Sequence, residues 1–254
     1  MSKRGHKPGH RPGKSPASRP RFWGRHPVTA ALANPERVIR KMWGTREALS
    51  ALGAVPPTIP VTIADVADLA RLVPGDAPHQ GLVIEVDPLE DIWLGDLLAQ
   101  GAGADDRRPL VVLDQVTDPH NVGAVLRSAA AFGALGIVTQ DRHAPPESGA
   151  LARAASGTLE TVPWVRVVNL ARALEEMAEA TYWRIGLTGA GTATLAESLG
   201  APKVALVLGA EGEGMRANTE AHCDALARLP ISDQVESLNV SNAAAIALYA
   251  VATA

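Results

Sequence analysis

Leu110 to Arg127 reads LVVLDQVTDPHNVGAVLR. Leu110 to Asp114 is a short apolar run of strand type, the loop that follows carries Pro119, and Val122 to Phe132 continues with a helical pattern. The same order of strand, loop and helix recurs toward the C-terminus. Further strands are expected at Gly136 to Thr139, Val162 to Val165, Trp183 to Leu187, Val204 to Leu208 and Ala227 to Ile231. Helices are expected at Glu147 to Ala155, Asn169 to Ala180 and Met215 to Cys223, with a last one in the apolar C-terminal segment. Strands separated by helices call for an α/β fold, a parallel sheet covered on both faces. Ligands then sit at the carboxyl ends of the strands.

That last segment, Ser241 to Ala254, holds no charged residue. A helix apolar all round must be covered on all sides, and this one falls short of the roughly 20 residues that cross a bilayer. Burial in protein is the remaining reading. Just ahead, Ser237, Asn239, Ser241 and Asn242 are all helix-capping types, though one cap needs only one of them. The excess suggests a loop that also serves a ligand.

Toward the N-terminus a smaller unit precedes this domain. Its expected elements are a helical stretch at His26 to Ala33, a strand at Arg37 to Thr45, a helix at Arg46 to Leu52 and a strand at Gly81 to Val86. Pro56, Pro57 and Pro60 interrupt it, and Asp65 and Asp68 mark a helix start within Val61 to Val73. The Gly-rich and charged stretch QGAGADDRR suggests a linker at 99–108, between an α/β unit at 22–98 and the larger domain at 109–254. Residues 1–26 contain eight Lys or Arg and no acid, against sixteen Lys or Arg and twenty-seven acids in the rest, a balance of −11. Residues 1–21, rich in Pro, Gly and Ser, are expected to be a disordered basic arm able to touch phosphates; a merely solubilising tail has the same composition.

The single cysteine, Cys223, excludes an internal disulfide, a CxxC redox pair and a thiolate metal site, and reads as a small buried hydrophobe. The basic start leads into Pro and Gly rather than an apolar h-region, so no export signal or membrane span is expected and the compartment is expected to be cytoplasmic. His120 has no second ligand at metal spacing, and no metal is assigned. A GxSxG nucleophile elbow is absent.

Unusual residues collect at the strand ends. Asn121 reads as a helix cap and Arg127 as a surface cation when each is taken singly. Gly209, Gly212 and Gly214 permit positive φ and close backbone approach around Glu211, yet their order is neither the GxGxxG dinucleotide fingerprint nor a P-loop. NAD and ATP are therefore poorly supported.

Taken together, NVGAVLR at Asn121 to Arg127, LGAEGEGM at Leu208 to Met215, and LPIS followed by SLNVSNAAA within Leu229 to Ala245 resemble the three motifs of the SpoU/TrmH family. These are ribose 2′-O-methyltransferases of the SPOUT superfamily. The resemblance extends to VTDPHNVGAVLRSA, to ASGTLETVP at Ala155 to Pro163 and to NLARAL at Asn169 to Leu174, and is closest to members that methylate a guanosine of 23S ribosomal RNA. It implies a deep C-terminal trefoil knot, S-adenosylmethionine as cofactor, an RNA partner and a homodimer packed through the knots. It also implies that the small unit is an RNA-binding domain of ribosomal-protein-like α/β fold. On the same grounds Asn121, Arg127, Glu211, Ser237 and Asn239 surround the transfer, with Thr188, Gly189, Leu208, Gly209, Leu229, Ile231 and Leu238 at the cofactor. Family members often continue past the last helix into a basic tail, which this sequence lacks.

Other readings carry different expectations. A transfer-RNA methyltransferase would share residues 109–254, and a silent RNA-binding scaffold need not keep Asn121, Arg127, Glu211 and Asn239 together. A Rossmann methyltransferase would place its glycine cluster after the first strand, where this chain has a Pro-containing loop.

Overall fold

Phe22 is fully buried and pairs with Ile84, which makes it part of a sheet rather than of a tail. A computed structural model describes residues 19–103 and 105–254. The expected arm at 1–21 lies outside the described residues as far as residue 18, and its last position, Arg21, pairs with Glu85 in a strand. The small unit runs β1 (Arg21–Trp23), α1 (Arg25–Ala33), β2 (Ile39–Gly44), α2 (Arg46–Leu52), β3 (Val61–Ile63), α3 (Val66–Ala70) and β4 (Leu82–Val86). Its sheet has the order β1-β4-β2-β3, antiparallel except for the β2–β3 pair. Thr45 caps α2 by accepting the Ala48 N–H, and Asp65 caps α3 by accepting that of Asp68.

The larger unit continues with α4 (Leu94–Gln100), β5 (Leu110–Leu113), α5 (Pro119–Ala131), β6 (Gly136–Gln140), α6 (Gly149–Ala155), β7 (Trp164–Val167), α7 (Leu170–Glu179) and β8 (Trp183–Leu187). It ends with β9 (Ala193–Thr194), α8 (Leu195–Ser198), β10 (Val204–Leu208), α9 (Ala217–Glu220), β11 (Ala225–Arg228) and α10 (Val240–Ala252). Seven strands form one parallel sheet in the order β7-β6-β5-β10-β8-β11-β9. Alternation along β5 divides the core: Val111 and Leu113 join the cluster holding residues of α5, α6 and α10, while Leu110 and Val112 join that of α4 and α7. α4 therefore belongs to the packing of the large sheet, through buried Leu94, Leu97 and Leu98.

The chain leaves β5 toward β6 and β7 on one side, and later inserts β10 on the other. β5 and β10 are thus neighbours whose following loops diverge, which opens a crevice at their carboxyl ends.

Several boundaries differ from the sequence expectation, each for a local reason. α5 starts at Pro119 because Asp118, not Asn121, is its cap, accepting the His120 N–H at 2.9 Å. β7 begins two residues later than expected, because Val162 still gives its N–H to Thr158 in a helical turn and Pro163 has none to give. β11 stops at Arg228, two residues short of Pro230. α8 went unforeseen although Thr194 and Glu197 form a capping box ahead of it. The larger correction concerns α10: Val240, Ala244, Ala247 and Leu248 are buried, but Ile246 and Tyr249 are 45% and 58% exposed. A single chain covers only one face of this apolar helix.

Candidate functional site

Asn239 caps α10, accepting the Ser241 backbone N–H at 3.0 Å through Oδ1. That bond fixes which end of the amide is which, and leaves Nδ2 to donate across the crevice. Nδ2 reaches Asn121 Oδ1 at 3.0 Å and also the Glu211 carboxylate. Asn121, freed from capping because Asp118 does that work, donates its own Nδ2 to Glu211 Oε1 at 3.0 Å. The Val240 N–H points to the same oxygen at 3.4 Å. Three chain segments, following β5, β10 and β11, therefore close a polar triangle around one carboxylate oxygen, at the mouth of the crevice and open to solvent.

The loop bearing Glu211 is held at both ends. Ala210 and Gly214 bond to each other backbone to backbone, N to O at 3.1 Å and 2.9 Å, pinching the segment into a tight hairpin. Gly209 lies against that hairpin, and a Cβ there would collide with the Gly214–Met215 backbone. The loop's own closure requires this glycine, so the residue alone is no sign of a ligand. Beyond the hairpin, the Arg216 N–H bonds Asp114 Oδ2 and its Nε bonds Asp114 Oδ1, both at 2.9 Å. Asp114 is fully buried at the end of β5, so this pair ties the Glu211 loop to the strand that precedes Asn121. The sequence reading missed this residue; its signal was an acid closing an otherwise apolar strand.

β10, β8 and β11 are consecutive in the sheet, so the residues expected at the cofactor share one edge. Thr188 follows β8, gives its N–H to Ala227 at 2.9 Å, and accepts the Gly191 N–H through its carbonyl at 3.1 Å. Gly189 beside it faces free space, since an added Cβ would meet nothing within 4 Å. Leu208 is buried, with its carbonyl accepting the Asp114 N–H at 2.8 Å. Leu229 and Leu238 are half-buried, whereas Ile231 is exposed. Arg228 fastens the turn after β8 by donating to the Gly191 and Thr192 carbonyls at 2.9 and 2.8 Å.

Two expected residues stay outside the triangle. Arg127 lies six positions beyond Asn121 on α5, about 9 Å along the helix and some 120° around it; it is exposed and makes no ion pair among the described residues. Ser237 sits exposed in the loop ahead of α10. Cys223 is half-buried just after α9, and burial pushes its thiol up to about 12, in keeping with a packing role. Among the described residues no group of three metal-ligating side chains occurs, and no helix is long and apolar enough to cross a membrane.

Residues 108–249 match the family model described as the SpoU rRNA Methylase family. The chain belongs to that family. Residues 22–92 match a second model, RNA 2′-O ribose methyltransferase substrate binding. The 23S rRNA (guanosine-2′-O-)-methyltransferase RlmB of Pseudomonas aeruginosa is 37% identical over 238 residues, covering 90% of this chain and 94% of the relative. An uncharacterized tRNA/rRNA methyltransferase of Synechocystis is also 37% identical, over 240 residues, and this chain spans 61% of that relative's length. Among solved structures, the SpoU methyltransferase AviRb from Streptomyces viridochromogenes superposes with a TM-score of 0.76 at 22% identity, covering 93% of this chain and 90% of that one. Its complex with AdoMet gives 0.75 at 23% identity. These two establish the likeness of fold, and for this SpoU family member the polar triangle falls where all three sequence motifs meet.

Proposed function

We propose that this chain transfers a methyl group from S-adenosylmethionine to a ribose 2′-hydroxyl of RNA, namely that of a guanosine of 23S ribosomal RNA, in the cytoplasm. The observation that carries the reading is the joining of Asn121, Glu211 and Asn239 at the β5–β10 crevice of a SpoU family member. The relatives named for 23S rRNA guanosine methylation supply the substrate class.

The strand ends suit the cofactor. Backbone turns after β8, β10 and β11 stand side by side, and Gly189 borders open space, so Thr188, Gly189, Gly209, Leu229, Ile231 and Leu238 would hold S-adenosylmethionine through main-chain groups and apolar contact, with Leu208 anchoring the β10 end. When bound, it supplies an electrophilic methyl group on a sulfonium sulfur. The chain's own residues have to present the ribose oxygen in line, and positioning of that kind supplies several kcal/mol. Asn121 and Asn239 are pre-set by their bonds to Glu211, which removes the cost of reorganising them during reaction. Arg127, exposed and without an ion-pair partner among the described residues, is free to anchor a phosphate and to lower the 2′-hydroxyl pKa electrostatically. Guanidinium stays protonated, so Arg127 is assigned no proton-accepting role. Ser237 would join it from the loop before α10.

The same reading places a trefoil knot in the segment leading to α10, which packs against α5, β10 and α8. It makes the unit from residue 22 to the end of β4 an RNA-binding domain of ribosomal-protein-like fold, joined through the chain after Val86 to the catalytic domain at 109–254, onto whose sheet α4 packs. It also makes the uncovered face of α10, with Ile246 and Tyr249, the seam of a homodimer. The test is methyl transfer from tritiated S-adenosylmethionine to deproteinised 23S rRNA, 16S rRNA and tRNA, followed by nucleoside mapping. 2′-O-methylguanosine in 23S rRNA is expected. Label confined to tRNA would move the substrate, and RNA binding without incorporation would leave a silent scaffold.

A further inference from the structure

Arg37 is buried between the two sheets, and its guanidinium has no exposed surface. Nη1 bonds Glu147 Oε2 at 2.7 Å and the Asp87 carbonyl at 2.8 Å, while Nε bonds both Glu160 oxygens at 3.1 and 3.0 Å. Glu147 and Glu160 are also buried. Their remaining capacity is taken up from the small unit and the chain just after it, by Asn34 Nδ2 on Glu160 at 2.8 Å and the Leu89 N–H on Glu147 at 3.0 Å. The cation also lies over the Phe22 ring, 5.2 Å from its centroid. One buried cation between two buried carboxylates is a costly arrangement, and removing one partner strands the others. All the donors come from residues 34–89 and both acceptor side chains from residues 147–160, so the cluster bridges the stretch matched to substrate binding and the stretch matched to the methylase.

The bridge leads toward the site through packed backbone. Glu147 stands one residue ahead of Ser148, which caps α6. Trp23 of β1 covers Gly149 at the start of that helix. α6 in turn lies on α5 at Gly123, where a Cβ would come within 2.6 Å of both the Leu151 carbonyl and the Ala154 Cβ. Gly123 is two residues from Asn121. A tilt of the small sheet therefore cannot occur without disturbing α6, and α6 sits on the backbone that carries Asn121.

We infer that Arg37 is a positioning residue for the methyl transfer: its bonds to Glu147 and Glu160 hold the small unit at one fixed angle to the helix bearing Asn121. RNA held on the small unit then meets the polar triangle in a single orientation, an inference that rests on the RNA-methylating reading above. The experiment compares full-length wild type, Arg37→Met and the triple variant Arg37→Met/Glu147→Gln/Glu160→Gln. The readouts are KM for a 23S rRNA fragment, kcat at saturating RNA, S-adenosylmethionine affinity, melting temperature and small-angle X-ray scattering.

Arg37→Met is expected to raise KM about tenfold or more, lower kcat at saturating RNA several-fold, leave cofactor affinity within about twofold, and broaden the scattering distance distribution. The triple variant, which strands no charge, is expected to regain melting temperature while keeping the raised KM. Recovery of KM together with melting temperature, or an unchanged KM in both variants, overturns the inference. If Arg37→Met does not fold, the triple variant makes the same comparison. A wild-type protein that incorporates no label counts against the methylating reading instead, and scattering still decides whether the two units are locked.

Discussion

Asn239 uses the two ends of one amide for two tasks: Oδ1 holds the Ser241 N–H at 3.0 Å and caps α10, while Nδ2 meets Asn121 Oδ1 at 3.0 Å and the Glu211 carboxylate. Capping and site geometry can therefore be separated by substitution. Asn239→Ala should lose both, at a cost of about 1 kcal/mol in stability and, on the proposed function, about a hundredfold in methyl transfer. Asn239→Asp keeps a good cap but sets a second carboxylate against Glu211. Like charges raise one carboxyl pKa in the folded state, so the folded protein binds more protons and stability falls as pH rises through that range. Urea midpoints for Asn239→Asp should drop from pH 4 toward pH 7 relative to wild type; parallel curves would show that the two side chains do not face each other.

The Asp114–Arg216 pair is asymmetric, with the carboxylate fully buried and the arginine side chain about one third exposed. Arg216→Ala leaves a buried carboxylate unpaired and should cost about 3 kcal/mol, more than Asp114→Asn. The double variant should cost less than the two singles added together, with the difference measured by a urea double-mutant cycle. Both singles should weaken cofactor binding, since each releases the loop of Glu211 from β5. Additive costs would mean that the pair contributes nothing beyond its separate packing.

Asp224 accepts from Arg184 at the edge of β8, at 2.8 and 2.5 Å, and this bonding holds its carboxyl below the usual range. A depressed folded-state pKa stabilises the fold above the unfolded value of about 4, and that stability is lost as pH falls through the folded value. Arg184→Met should therefore lower the melting temperature at pH 7 and make progressively less difference as pH falls below about 4. Thermal scans across pH 2.5 to 7 check this, and an equal deficit at every pH would assign the loss to packing.

Ile246 and Tyr249 present apolar surface on the open face of α10, at 45% and 58% exposure. Ile246→Glu puts a charge on that face without touching buried Ala244, Ala247 or Leu248. Light scattering should show a dimer for the wild type and a monomer for the variant. Identical masses would remove α10 from the interface.

Much of the large unit was legible because its strands are buried on both faces and so read as unbroken apolar runs, as in VALVL at Val204 to Leu208. β1 and β3 escaped because three residues carry too little pattern, and β1 borders a basic stretch that masks Phe22. Asn121, Glu211 and Asn239 stood out by resemblance, but their mutual bonding did not, since which loops meet depends on β10 lying beside β5. Nor could Asn121 be told from a cap until Asp118 was found to occupy that role. Arg37 was invisible for a related reason: one arginine ahead of a strand looks like a surface residue until Glu147 and Glu160 are brought to it from the far unit.

The polar triangle joins residues separated by 90 and 118 positions along the chain. Contacts so distant in sequence form late, after the loops between them have been closed at entropic cost. During synthesis Asn121 and then Glu211 leave the ribosome ahead of Asn239, so nothing made before residue 239 can close the crevice. The fold thus acts as its own proofreader of completeness: a chain arrested between residues 211 and 239 carries two walls of a site and no third.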